Sequence, residues 1–211
     1  MNEIHPTDGK RKRIAIIILA AGDATRFGKP KQLFPFRDEP LIGHAARAAT
    51  GTDHRPVFVV VGANAKQLFW NLSEYHVVYT SNPRWDSGIA SSIRIGLKTA
   101  LDSVEFLDAA IFMTADQPLV TTATLDRLVG AYLSSDKTIA ACSYEDTLGI
   151  PVLFDTRYFS ELLSLKGDQG AKEIILAHRD QVAEVEAPEA AVDIDTEDDL
   201  IRLENATTGR T

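Results

Sequence analysis

Short β-branched, apolar runs alternate along this chain with segments whose apolar positions recur every three or four residues. Residues 13–20 (RIAIIILA), 56–62 (PVFVVVG), 75–81 (YHVVYTS) and 108–116 (DAAIFMTAD) read as strands. The first is continuous enough to be covered on both faces. Residues 40–50 read as a helix opened by a proline, and residues 63–72, 88–101 and 121–135 as further helices. The pattern places Ile89, Ile93, Leu97 and Leu101 on one face of the third, and makes Thr121 or Thr122 the cap of the fourth. The second half is less regular. It offers strands at 137–144, 149–155 and 182–187, and helices at 156–165, 167–180 and 196–205. The last has Thr196 as its cap and acids in its first turn.

The βαβα order predicts an α/β fold: a doubly wound, mostly parallel sheet with helices on both faces. In such sheets ligands bind outside the carboxyl ends of the strands. The segments LAAG, after the first strand, and MTAD, at the fourth, both fall there, so two distant pieces of chain should share a cleft. The expected organisation is a flexible tail at 1–12 and one domain at 13–206.

Composition changes this picture little. Charged residues make up 25% and the net charge is -8, which argues against a general nucleic-acid binder but leaves room for a local cationic pocket. The apolar run at 14–21 is far shorter than the roughly 18 residues that span a bilayer, so no membrane partner and a cytoplasmic location are expected. The single cysteine, Cys142, lies in a strand-like segment and reads as a buried, inert thiol. The five histidines form no metal-ligand spacing, and His44, on a core-facing helix, reads as structural.

The loop that follows the first strand, GDATRFGKPK, stands apart. Gly22 and Gly28 let backbone amides approach an anion, while Arg26, Lys29 and Lys31 supply positive charge. The combination points to nucleotide phosphates, with Arg26 and Lys31 as the principal contacts. It is neither of two common phosphate loops. Five residues separate its glycines and Pro30 follows Lys29, which excludes a P-loop, and no middle glycine completes a dinucleotide fingerprint.

LAAGDATRFGKPKQL resembles the signature of the MobA-like nucleotidyltransferases, and within them is most similar to the molybdenum cofactor cytidylyltransferases. NPRWDSGIASSIRIGL, TADQP, GIPVLF, GDQGAK and DIDTEDDL extend the likeness from residue 13 to residue 203. The resemblance implies a Mg2+-dependent enzyme that transfers CMP from CTP to the phosphate of molybdopterin, releasing pyrophosphate. It implies a small-molecule acceptor, and a molybdoenzyme or its chaperone as a protein partner. By resemblance Asp116 is a metal ligand; the bare reading of a carboxylate ending an apolar strand leaves a helix cap open beside it. Asp193 and Asp195 alternate and should face the same way, so periodicity does not choose between them. The resemblance favours Asp195, against an alternative role as a helix cap. It also makes Leu19, Ala20, Ala21 and Gly22 the nucleoside pocket, with Ala21 suited to a pyrimidine. Asn82, Gly88, Ser91 and Ser92 would wrap the nucleoside, Trp85 would pack that loop, and Asp168 would meet the acceptor or cap a helix. The competing readings are a nucleotidyltransferase with another nucleotide or acceptor, a nicotinamide-dependent oxidoreductase, and a non-catalytic cofactor carrier.

Overall fold

The computed structural model describes residues 12–22 and 30–208. In chain order the strands are β1 (Ile14–Ala20), β2 (Pro35–Phe36), β3 (Glu39–Pro40), β4 (Val57–Val61), β5 (Val78–Ser81), β6 (Ala109–Thr114), β7 (Ile139–Tyr144), β8 (Thr147–Asp155) and β9 (Val182–Glu186). The helices are α1 (Leu41–Gly51), α2 (Ala65–Asn71), α3 (Ile89–Ser103), α4 (Thr122–Ser134), α5 (Phe159–Ser164), α6 (Ala171–Ala177) and α7 (Glu197–Thr208).

Seven of these strands form one sheet in the order β5-β4-β1-β6-β8-β7-β9. β5, β4, β1 and β6 run parallel, and β8 alone runs against its neighbours. The chain leaves β1 toward β4 and β5, then crosses back to place β6 on the other side of β1. The strand order therefore reverses at β1, and a crevice opens between the carboxyl ends of β1 and β6.

The period of two in β1 divides the core. Ile14, Ile16, Ile18 and Ala20 point to one face, where Ile42 of α1, Leu68 of α2 and Leu125 of α4 pack. Ala15, Ile17, Leu19 and Ala21 point to the other, against Ile93 of α3, Leu162 of α5 and Ile174 of α6. A third, smaller cluster joins Phe34, Phe36, Leu41, Ile194 and Leu203. It ties the β2–β3 hairpin to α7 and the segment before it.

Two sequence expectations need correction. The buried stripe of α3 is Ala90, Ile93, Leu97 and Ala100, whereas Ile89 and Leu101 are exposed. Small residues let the helix settle close to the sheet, and the two larger side chains fall beyond that contact. Pro40 precedes α1 as its cap residue in extended conformation instead of opening the helix.

Gly96 shows how close α3 lies. A Cβ there would stand 2.6 Å from a methyl of Ile17 and 2.8 Å from one of Val60. Gly130, exposed on α4, has nothing within 4 Å of the same position. Gly130→Ala is expected to stabilise the protein by about 0.5–1 kcal/mol. Gly96→Ala is expected to destabilise it by about 1–3 kcal/mol through overpacking. Urea unfolding of both variants checks the opposite signs.

At the other pole of the sheet, Asp155 accepts a 2.6 Å hydrogen bond from the Tyr132 hydroxyl and two more, at 3.1 Å, from Arg157. Burial pushes this carboxyl pKa up, but these donors outweigh it and hold the pKa below the ordinary range. Asp155→Asn should therefore cost about 1–3 kcal/mol at neutral pH. Because the folded pKa is the lower one, the wild-type advantage is complete above the unfolded value of about 3.9 and fades as pH falls through the folded value. Unfolding curves of the two proteins at neutral pH and near pH 3 should show a smaller gap at the acid end.

Candidate active site

Lys31 follows Pro30 at the start of a 3-10 turn, Lys31–Leu33. The turn is closed by hydrogen bonds from Leu33 N–H to the Pro30 carbonyl and from Phe34 N–H to the Lys31 carbonyl. Phe34 and Phe36 are buried just beyond it, so the backbone that carries Lys31 is anchored in the third core cluster. Gln32, 3% exposed, donates from Nε2 to the carbonyls of Ala20 and Gly22 at 3.2 and 2.8 Å. It thereby pins the turn to the carboxyl end of β1.

Asp116 lies just past β6. Its neighbour Gln117 is buried and donates to the carbonyls of Ile150 and Ala190, at 3.1 and 2.7 Å, while the Asp116 carbonyl accepts from Ile194 N–H at 2.9 Å. Ile194 is fully buried, which aligns its neighbours Asp193 and Asp195 beside Asp116. Thr196 caps α7: its hydroxyl accepts from Asp199 N–H at 3.1 Å, and Asp199 Oδ2 accepts from Thr196 N–H at 2.8 Å. The cap is therefore supplied without the Asp195 carboxylate.

These three supports converge on one contact. Lys31 Nζ donates to Asp116 Oδ2 and to Asp195 Oδ1, each at 2.7 Å. The partners lie 85 and 164 residues away along the chain. Burial alone would lower the Lys31 pKa, but Asp116 and then Asp195 reverse that and hold it above the ordinary lysine value. The Asp193 pKa is raised, by burial first and then by the charges of Asp195 and Asp116, with Lys31 opposing them. Of the alternating pair, Asp195 is the one bonded to Lys31.

The opposite wall is built by close approach. A Cβ on Gly62 would stand 2.3 Å from the Ala21 carbonyl and 2.8 Å from Trp85 Cβ, so Trp85 packs where the ends of β1 and β4 meet. Gly88 has φ +94°, and a Cβ on it would meet the Gly167 carbonyl at 2.2 Å and Asp168 Oδ1 at 2.7 Å. Ala90 N–H bonds the same Gly167 carbonyl at 3.1 Å. Asn82 Nδ2 donates to the Ser91 and Ser92 hydroxyls at 2.8 and 3.0 Å, and all three residues are buried. Ser91 also donates to the carbonyls of Arg84 and Gly88, each at 2.9 Å, so these polar groups knot the turn that carries Gly88. Asp168 stands against Gly88, while Gly170 and Glu173 close the start of α6.

Where β1 and β6 meet the starts of α3 and α6 lies a cavity of about 330 Å³, lined by Leu19, Phe112, Thr114, Tyr144, Ile150 and Lys172 among others. His44 is buried and bonded through Nε2 to the Phe36 carbonyl at 2.8 Å, a structural role. Cys142 is fully buried, and that burial pushes its thiol pKa up to about 12, which leaves it inert. Arg26, Gly28 and Lys29 lie outside the described residues. The sequence reading missed Gln32 and Gln117. Each stands directly after a residue it did single out, Lys31 and Asp116, and that adjacency was the available signal.

Two aspartates converging on one cation make an oxygen-only donor set, which suits a hard divalent ion. Among the described residues no group of three or more potential metal ligands is present. A magnesium-type ion would accordingly complete its shell with water and substrate oxygens.

Residue Gly88 admits a direct test of this wall. Gly88→Ala combines a disfavoured positive φ with a backbone clash, and is expected to cost about 2 kcal/mol or more of stability. Thermal melting of that variant beside Gly130→Ala checks it.

Residues 16–182 match the family model described as the MobA-like NTP transferase domain. Over 198 residues the chain is 29% identical to the nicotine blue oxidoreductase of Paenarthrobacter nicotinovorans, covering 89% of this chain and 94% of that one. Its fold is similar to the crystal structure of Rv0371c from Mycobacterium tuberculosis H37Rv, with a TM-score of 0.78, 29% identity, and coverage of 91% and 97%. A further structure of that protein, a complex with manganese, aligns with a TM-score of 0.71 at 29% identity over 91% and 98%. The chain thus belongs to the MobA-like NTP transferase family and is a nucleotidyltransferase.

Proposed function

We propose that this protein transfers CMP from CTP to the phosphate of molybdopterin, with release of pyrophosphate. The observation that carries the reading is the Lys31 ammonium held between Asp116 and Asp195 at the switch point of the sheet. An acceptor phosphate oxygen attacks the α-phosphorus, the bond from that phosphorus to the bridging oxygen breaks, and pyrophosphate leaves. The attacking group is already ionised, so no general base is required, and positioning and charge neutralisation carry the step.

Lys31 neutralises charge growing on the α-phosphate, while Arg26 and the amides of the glycine loop hold the departing pyrophosphate. Asp116 and Asp195 would hold Mg2+, which would supply Lewis-acid neutralisation of phosphate oxygens. The manganese complex of the similar mycobacterial protein supports a divalent ion as cofactor. The chain at Leu19, Ala20, Ala21 and Gly22 forms the nucleoside pocket at the end of β1, with Ala21 leaving room suited to a pyrimidine. Asn82, Ser91 and Ser92 act at one remove, by fixing the Gly88 turn. The largely apolar cavity beside Thr114 takes the ring system of the acceptor, with Lys172 at its rim for an anionic group. The protein that receives the finished cofactor is a molybdoenzyme or its chaperone.

One observation favours a second reading. The similar Paenarthrobacter protein is named an oxidoreductase, which makes a nicotinamide cofactor the alternative occupant of the cleft. Pyrophosphate release with CTP, GTP, UTP and ATP, beside a binding titration with NADPH, separates the two readings. CTP turnover without NADPH binding supports transfer; NADPH binding without pyrophosphate release sinks it.

Asp116→Ala is expected to abolish turnover while leaving the circular dichroism spectrum unchanged, and Lys31→Ala to lower kcat by about a hundred-fold or more. Full activity in Asp116→Ala with CTP and Mg2+ would refute the metal assignment.

A further inference from the structure

The Lys31 ammonium occupies the same two carboxylate oxygens that the proposed function gives to the metal. Nζ lies 2.7 Å from both Asp116 Oδ2 and Asp195 Oδ1, so the two oxygens are no farther apart than twice that distance. A magnesium-type ion held by those oxygens would sit about 2.1 Å from each. It would be pressed against the ammonium, a like charge, in a site where Lys31 and Asp116 are each about one-fifth exposed. Ammonium and metal therefore compete for the same two oxygens.

We propose that Lys31 is a tethered competitor of the metal, which makes divalent-ion binding depend on nucleotide. This rests on the reading of Asp116 and Asp195 as the metal ligands. A metal arriving alone must displace the lysine and leave it without a counter-ion in a partly buried site. A nucleoside triphosphate changes both sides of that exchange: its phosphates take the ammonium, and they lend the metal the further oxygens that two aspartates do not supply. The metal then enters with the nucleotide, and the same lysine passes from the carboxylates to the phosphate it neutralises. The arrangement couples the two ligands positively, and linkage makes the coupling reciprocal.

The consequence runs against the usual effect of removing an active-site cation. Two carboxylates and an ammonium carry a net charge of minus one; without the ammonium they carry minus two, matched to a divalent ion. Lys31→Met keeps the apolar stem and removes the charge. It should be inactive, yet bind metal more tightly than the wild type when no nucleotide is present.

The experiment is a Mn2+ titration of the full chain followed by electron paramagnetic resonance, with and without a non-hydrolysable CTP analogue, corrected for Mn2+ held by the analogue alone. Without nucleotide, Lys31→Met should bind Mn2+ about ten-fold or more tightly than the wild type, within the range usual for coupled sites. The gain should vanish in Lys31→Met/Asp116→Asn. In the wild type the analogue should raise Mn2+ affinity about ten-fold or more, and in Lys31→Met much less. Equal or weaker Mn2+ binding by Lys31→Met overturns the proposal. So does a wild-type affinity that the analogue leaves unchanged, a measurement that needs no variant to fold. The two readings fail separately. If Asp116→Asn binds Mn2+ with the analogue as tightly as the wild type, the metal assignment itself is wrong. If Asp116→Asn loses that binding but Lys31→Met gains none, the metal stands and only the competitor role falls.

Discussion

One ammonium shared by two carboxylates closes the carboxyl edge of the sheet. Lys31, Asp116 and Asp195 come from three distant stretches of chain, and each is delivered by a separate support. Gln32 pins the turn of Lys31 to the end of β1, Gln117 clamps the loop of Asp116 to β8, and buried Ile194 sets the direction of Asp195. None of these supports needs to be a charged group. Buried amides and an isoleucine hold the charges in place, so the three charges are left to pair with one another at the edge of the cleft.

The opposite wall relies on the absence of side chains. Gly62 and Gly88 let backbone and neighbouring residues approach to distances at which a Cβ would collide. Such contacts bring the ends of β1 and β4 against Trp85, and the turn before α3 against the loop before α6. The cleft is thus rigid on one side through packing and electrostatically poised on the other. That division suits a transfer reaction in which the protein does little covalent chemistry and must chiefly hold two anionic reactants in line.

Much of the site was legible as residue types. Asp116 stood out as a charge ending an apolar strand, Lys31 as a cation in a glycine-rich loop, and Asp193/Asp195 through the family likeness. Asn82, Ser91 and Ser92 were read as groups facing the nucleoside, since a hydroxyl in a loop looks available until its partners are known. The structure adds a second role: Asn82 bonds both serines, and Ser91 also donates to the carbonyls of Arg84 and Gly88. Gln32 and Gln117 went unremarked for the complementary reason. A glutamine beside a charged residue carries no pattern of its own, and its importance lies in which carbonyls happen to be within reach.

The sequence by itself determined the alternation of elements, the two-faced character of β1 and the position of the glycine-rich turn, because these follow from local periodicity and backbone preference. It also carried the family signature. Only the tertiary structure decided which aspartate meets the lysine, which polar side chains are consumed in holding loops, and how deeply α3 sits on the sheet. Those outcomes depend on contacts between residues remote in the chain, where a shift of an ångström exchanges one partner for another and no local pattern records the choice.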